Sequence, residues 1–197
     1  PSRGPATATG ERLMRNVMIV GISGAGKSTL ARELGRRLGL RVVHLDRFFW
    51  RSGWQIRPRD EMRALLAAAL REDGWVVDGN NASSFDLRVP RADTIVWLDF
   101  ARARCLGRVL ARVVRHAGRT RRDLADGCPE RLDLDFLRYV WTFPRHGNPM
   151  LEALFSAETG RRRLVRLRSP REVRAWLAAL DEVDGAHGAV DCTADPA

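Results

Sequence analysis

Apolar residues along this chain fall into two patterns, short continuous runs and stripes at helical spacing. Asn16-Val17-Met18-Ile19-Val20 is the first run, closed by Gly21, and it reads as a buried strand; Leu30, Leu34 and Leu38 then recur as one face of a helix. Two further runs end on an acid, Arg41-Val42-Val43-His44-Leu45 before Asp46 and Gly74-Trp75-Val76-Val77 before Asp78. Between them Pro58 and Asp60 open a predicted helix through Leu65, Leu66, Ala69 and Leu70. Thr94–Leu98 and Arg163–Leu167 supply a fourth and a fifth strand. A helix over about 101–116 buries Cys105, Leu106, Val109, Leu110 and Val113, and a last one opens at Ser169-Pro170 and carries Val173, Trp176, Leu177 and Leu180 inward. Trp97, Trp141 and Trp176 lie in apolar patterns and are expected in the core.

Apolar strands separated by helices point to an α/β fold whose parallel sheet is covered on both faces, with ligands bound beyond the carboxyl ends of the strands. Asp46, Asp78 and Asp99 would then share one rim. At 197 residues the chain fits a single domain, expected over 15–183 between loose, Gly/Ala/Pro/Thr-rich tails at 1–14 and 184–197. A hydrophobic share of 45% and a charged share of 29% exclude disordered and fibrous classes. No apolar run approaches the roughly 18–20 residues of a membrane span, and Cys105, Cys128 and Cys192 fit neither a disulfide framework nor a CxxC metal pair. A cytoplasmic protein with reduced thiols and no membrane partner is expected. His44, His116, His146 and His187 are scattered, which argues against zinc.

The formal net charge of +10 favours a phosphate-bearing partner. Of 34 basic residues only Lys27 is a lysine, and it stands where a compact ammonium, rather than the planar fork of arginine, is needed. Gly21-Ile22-Ser23-Gly24-Ala25-Gly26-Lys27-Ser28 matches GxxxxGK[ST] between a strand and a helix. In such a loop consecutive backbone N–H groups of Gly21, Ser23, Gly24, Ala25, Gly26, Lys27, Ser28 and Thr29 cradle the phosphates of ATP, Lys27 reaches the β- and γ-phosphates, and Ser28 ligates Mg²⁺.

With that loop in place, the remaining segments resemble the adenylate-kinase-like branch of the P-loop kinases, and among these the bacterial DNA topology modulation proteins. The residues that carry the likeness are Leu45-Asp46, Trp50, Trp54, Trp75-Val76-Val77-Asp78-Gly79-Asn80, Arg88, Ala92-Asp93, Trp97-Leu98-Asp99, Arg108, Arg112, Gly127-Cys128-Pro129-Glu130 and Trp141-Thr142-Phe143-Pro144, in a span from about Val17 to Leu180. The resemblance implies a P-loop NTPase fold with a five-stranded parallel sheet and a mobile, arginine-bearing lid, here about 117–131, over the ATP phosphates. It also implies that Asp78 holds the water shell of Mg²⁺ and that Asp46 orients or deprotonates an acceptor hydroxyl. Adenylate kinases carry Asp-Gly-Phe-Pro-Arg after the third strand. This chain has Asp78-Gly79-Asn80-Asn81, so the usual acceptor-binding arginine is missing there, and Arg88 stands as its substitute beside Asn80.

Each candidate has a plainer alternative. Asp46 and Asp99 could cap helices, and Asp99 rivals Asp78 for the metal. Phe48, Phe49, Trp50 and Trp54 either wall an acceptor pocket or pack in the core. Arg104, Arg108, Arg112 and Arg115 form a stripe on the 101–116 helix that leads into Arg119, Arg121 and Arg122; phosphate contact is assigned to Arg108 or Arg112, and in the lid to Arg119 and Arg122 with Arg121 beside them. The resulting expectation is an ATP- and Mg²⁺-dependent phosphotransferase, a monomer or homodimer, acting on a small-molecule or nucleotide acceptor. The alternative is a nucleotide-switched protein that binds nucleic acid, although no helix-turn-helix, zinc finger or RNA-binding signature occurs.

Overall fold

A computed structural model describes residues 14–121 and 123–187. Residues 1–13 and 188–197 of the expected tails lie outside the described residues, as does Arg122, whereas 184–187, expected as tail, continue the last helix. The elements in chain order are β1 (Asn16–Gly21), α1 (Lys27–Leu38), β2 (Arg41–His44), α2 (Leu45–Phe49), β3 (Trp50–Arg51), β4 (Gln55–Ile56), α3 (Arg59–Ala69), β5 (Trp75–Asp78), α4 (Phe85–Arg88), β6 (Thr94–Leu98), α5 (Arg102–His116), α6 (Leu134–Glu158), β7 (Arg163–Leu167) and α7 (Pro170–His187).

Five strands form one parallel sheet in the order β2-β5-β1-β6-β7. All six residues of β1 are buried, which requires cover on both faces, and α1 and α6 supply it from the helix layers. Because every strand runs the same way, their carboxyl ends deliver the 22–26 loop, α2 with Asp46, the turn after Asp78 and the segment at Asp99 to a single rim. Register fixes the spacing along it, with Ile19 paired to Asp78 and Gly21 to Leu98.

Three expectations change. Asp46 does not end a strand; it lies in the first turn of the one-turn helix α2, whose N-cap is His44, so it caps nothing. Asp99 is no cap either, since the N-cap of α5 is Ala101 and Asp99 pairs with Arg166. The 25-residue α6 is absent from the apolar periodicity because Pro144 and Pro149 interrupt it, each removing a backbone donor. Trp141 on α6 is 44% exposed, under the Arg102 guanidinium, whereas Trp97 is fully buried and Trp176 partly so. Among the described residues no helix is long and apolar enough to cross a membrane.

The segment 117–131 has little regular structure. It closes on itself through Gly118 N–H to Glu130 O and Glu130 N–H to Arg119 O, and it is stitched to the small hairpin β3–β4. Gly53 N–H donates to Gly127 O (2.8 Å), the Trp54 indole N–H to Pro129 O (3.1 Å) and the Cys128 thiol to Arg51 O (3.2 Å). Gly127 lies so close to Ser52 that an added Cβ would fall 2.0 Å from its hydroxyl oxygen, and its φ of +74° also favours glycine.

Candidate active site

The strand ends, α5, α6 and the 117–131 segment enclose a cleft of about 2000 Å³. Ser23 to Thr29 all line it. The loop lies tight beneath α5, for a Cβ on Gly24 would meet Cys105 O at 2.4 Å and φ is +86°. Gly21 differs from the expectation: it is buried behind the loop, its N–H bound by Asn80 Oδ1 (2.8 Å) and its carbonyl by Asn80 Nδ2 (2.6 Å). Asn80 borders the cleft, but its amide is committed to this brace rather than to an acceptor.

Arg88 is corrected as well. It is wholly buried, lies outside the cleft lining, and donates to Gly79 O and Asn81 O (both 2.9 Å), with its guanidinium against Phe85. Burial lowers its pKa to about 9, offset in part by Asp78, which still leaves it charged at neutral pH. Arg88 thus fixes the 79–81 turn, and that turn fixes Gly21. Arg88→Ala is expected to destabilise the fold by roughly 2–4 kcal/mol, from the cavity and the buried Gly79 carbonyl left without its donor, while Asn81 O keeps those of Ser84. A chemical denaturation midpoint measures this; a loss of acceptor affinity at unchanged stability would restore Arg88 to the acceptor site.

Lys27 Nζ donates to Gly21 O (2.8 Å) and Ile22 O (3.2 Å). Burial lowers its pKa, and the nearby Asp46 and Asp78 oppose that shift. Asp46 is exposed to the cleft and ringed by its protein walls. Desolvation therefore raises its pKa, Lys27 opposes the rise and Asp78 adds to it. Asp78 is buried at the cleft floor with His44 Nδ1 2.8 Å from its Oδ1. Asp123, which the sequence reading passed over, comes from the lid and is also buried. Burial acts to raise its pKa, but Arg121, its own backbone and the neighbouring Ser28 hydroxyl outweigh this and hold it below the ordinary carboxyl range.

No group of three or more His, Cys, Asp and Glu among the described residues could cage a cation alone. Ser28, Asp78 and Asp123 instead offer a hydroxyl and carboxylates beside the phosphate loop, which suits Mg²⁺ held by few protein oxygens together with water and nucleotide phosphate.

The α5 stripe reaches the loop, with Arg108 Nη1 donating to Ala25 O (3.2 Å) and its guanidinium over Phe100. Arg112 Nε donates to Glu130 Oε1 (2.9 Å), Arg121 Nε to Glu130 Oε2 (2.7 Å), and Arg121 Nη1 to Asp123 (2.7 Å). Arg119 is exposed at the cleft edge. Phe49, Trp50 and Trp54 line the other end in edge-to-face contact, with centroid separations of 4.8 and 5.3 Å, so they form a pocket wall rather than core. Tyr139 of α6 joins them; burial first and Asp46 second raise its pKa. Asp123 and Tyr139 carry no motif, His44 was weighed only as a metal ligand, and Glu130, quoted with Gly127-Cys128-Pro129 in the resemblance, was given no role; the local signals were an acid directly after the 119–122 arginines and another directly before Arg131.

No protein-family model matches the chain. It is 28% identical over 102 residues to a shikimate kinase of Sulfurihydrogenibium sp. (strain YO3AOP1), covering 44% of this chain and 61% of the relative. It is 31% identical over 101 residues to a shikimate kinase of Persephonella marina (strain DSM 14350 / EX-H1), covering 44% and 62%. The chain thus spans about three fifths of the length of the curated relatives it matches. A solved shikimate kinase from Bacteroides thetaiotaomicron superposes on 87% of this chain and 99% of its own, with 14% identity and a TM-score of 0.50. The fold is therefore that of the P-loop kinases, with its five-stranded parallel sheet and flanking helices.

Proposed function

We propose that this protein transfers the γ-phosphoryl group of Mg²⁺-bound ATP to a hydroxyl of a small molecule. One observation carries the hydroxyl reading: the Asp46 carboxylate faces the cleft unpartnered, while the arginine expected at the acceptor end is withdrawn from it. Arg88 is buried on two carbonyls. The Asp46 side chain lines the cleft with no hydrogen-bond partner among the described residues. A phosphate acceptor would arrive anionic beside Asp46 and Asp78, whereas an alcohol gains an orienting acceptor for its proton. The aromatic wall of Phe49, Trp50 and Trp54 adds a preference for an acceptor with an apolar face. The partial match to proteins named as kinases of a small molecule, shikimate, supports the same reaction class.

In this reading the loop amides and Lys27 bind the β- and γ-phosphates, and Ser28, Asp78 and Asp123 are the residues that would hold Mg²⁺, which when bound neutralises phosphate charge. The bond from the γ-phosphorus to the ADP oxygen breaks as the bond to the acceptor oxygen forms, and the acceptor proton passes to Asp46. Screening sugars, nucleosides and small alcohols against nucleoside monophosphates for ATP-dependent phosphorylation tests the proposal. Transfer only to monophosphates would overturn the hydroxyl assignment.

Closure excludes water from the transferring group, so the 117–131 segment is expected to resist trypsin when ATP and acceptor are both bound. Its exposed Arg119 and Arg131 are the cleavage sites to follow by mass spectrometry. Equal cleavage rates with and without saturating ligands would count against closure.

A further inference from the structure

We propose that Glu130 is a positioning residue of this site, whose single carboxylate aligns one arginine from the fixed helix α5 and one from the lid for the transferring phosphoryl group. The proposal rests on the phosphotransferase reading above. Glu130 is only 5% exposed, and each of its oxygens takes a different guanidinium, Arg112 at 2.9 Å and Arg121 at 2.7 Å. Both bonds use Nε. That choice leaves Nη1 and Nη2 of Arg112 and Nη2 of Arg121 without a protein partner among the described residues, on side chains that line the cleft.

Two guanidinium groups this close repel each other, and Arg112 carries the mark of it: burial and then Arg121 lower its pKa, against Glu130. The carboxylate between them turns that repulsion into a clamp. Its backbone lies at the root of the lid, accepting from Gly118 N–H (3.0 Å) and donating to Arg119 O (2.9 Å), so the lid cannot sit down without bringing Glu130 to Arg112. A cationic fork held from behind at Nε presents its remaining N–H groups forward, the geometry that suits peripheral phosphoryl oxygens. Arginine alignment and lid docking are therefore a single event, and Glu130 couples them without touching substrate.

The test is calorimetric titration of the full chain with Mg·ATP and with Mg·ADP, because aligned arginines act on the γ-phosphoryl group and leave ADP largely unaffected. Glu130→Gln keeps the shape and removes the charge. It is expected to weaken ATP binding roughly tenfold, the scale of one charge-assisted contact, while ADP affinity stays within about twofold. Glu130→Asp, with the charge on a shorter arm, is expected to recover part of the preference for ATP. A purely structural staple would shift both nucleotides together. If Glu130→Gln fails to fold, Arg121→Gln, on the partly buried lid side of the same pair, is expected to show the same selective loss. A wild-type protein with no preference for ATP, or a variant that keeps the preference, overturns the role of Glu130. Wild-type protein that binds neither nucleotide overturns the kinase reading itself.

Discussion

Lys27→Ala is expected to cut phosphoryl transfer by one to two orders of magnitude or more and to leave the fold intact. A charge-assisted contact of this kind contributes roughly 1.5–3 kcal/mol, and donors aimed at developing charge in a dry site are worth more. The fold survives because neither carbonyl that Lys27 now holds is orphaned by its loss. Gly21 O keeps its bond from Asn80 Nδ2, and Ile22 O keeps the one from Ala25 N–H. Removing a desolvated ammonium offsets part of what the lost hydrogen bonds cost. Steady-state rates and a thermal melt on one preparation separate the two effects. Lys27→Arg should not rescue transfer, since a planar fork cannot enter a loop shaped for a point charge. Wild-type turnover in the alanine variant would refute the loop assignment.

Asp46→Asn is expected to lower turnover about 100-fold or more while ATP affinity changes only a few-fold, the signature of a lost general base. The sign of its pH behaviour follows from its surroundings. Desolvation raises the pKa of Asp46 in the folded protein, so the base is active only above that raised value, and turnover should fall as pH drops through a point higher than the usual carboxyl range. The asparagine variant should lose this limb of the profile. Stability runs the other way. A carboxyl whose pKa is raised on folding binds more protons folded than unfolded, so stability falls as pH rises from the ordinary value through the raised one. At neutral pH Asp46→Asn should therefore melt at the same temperature or higher than wild type. A variant that keeps its turnover would return the acceptor to the phosphate class.

What could be read without coordinates depended on range in sequence. The GxxxxGK[ST] pattern is local: it sits in eight consecutive residues, and its flanking strand and helix are visible as runs and stripes. The strand ends at Asp78 and Leu98 were legible for the same reason. Arg88 was not, because whether an arginine faces a ligand or props up a turn is decided by Gly79 and Asn81 folding back over it. Glu130 and Asp123 find their partners across a lid, with Arg112 18 positions from Glu130 and Ser28 far earlier in the chain than Asp123. The hairpin β3–β4 has two-residue strands, too short for any alternation to show. Helix α6 hid behind its prolines and is held by packing of Val140, Phe143 and Leu151, a tertiary cause that local propensity cannot express.

The seam between lid and hairpin has a kinetic consequence. Gly127, Cys128 and Pro129 on one side and Arg51, Gly53 and Trp54 on the other join the cover of the donor end to the wall of the acceptor end, so both ends share one door. In the proposed reaction the two substrates would be closed in together, which favours direct transfer within a ternary complex over a phosphorylated-enzyme intermediate. Both products would then leave by the same opening, and its rate would set a ceiling on turnover.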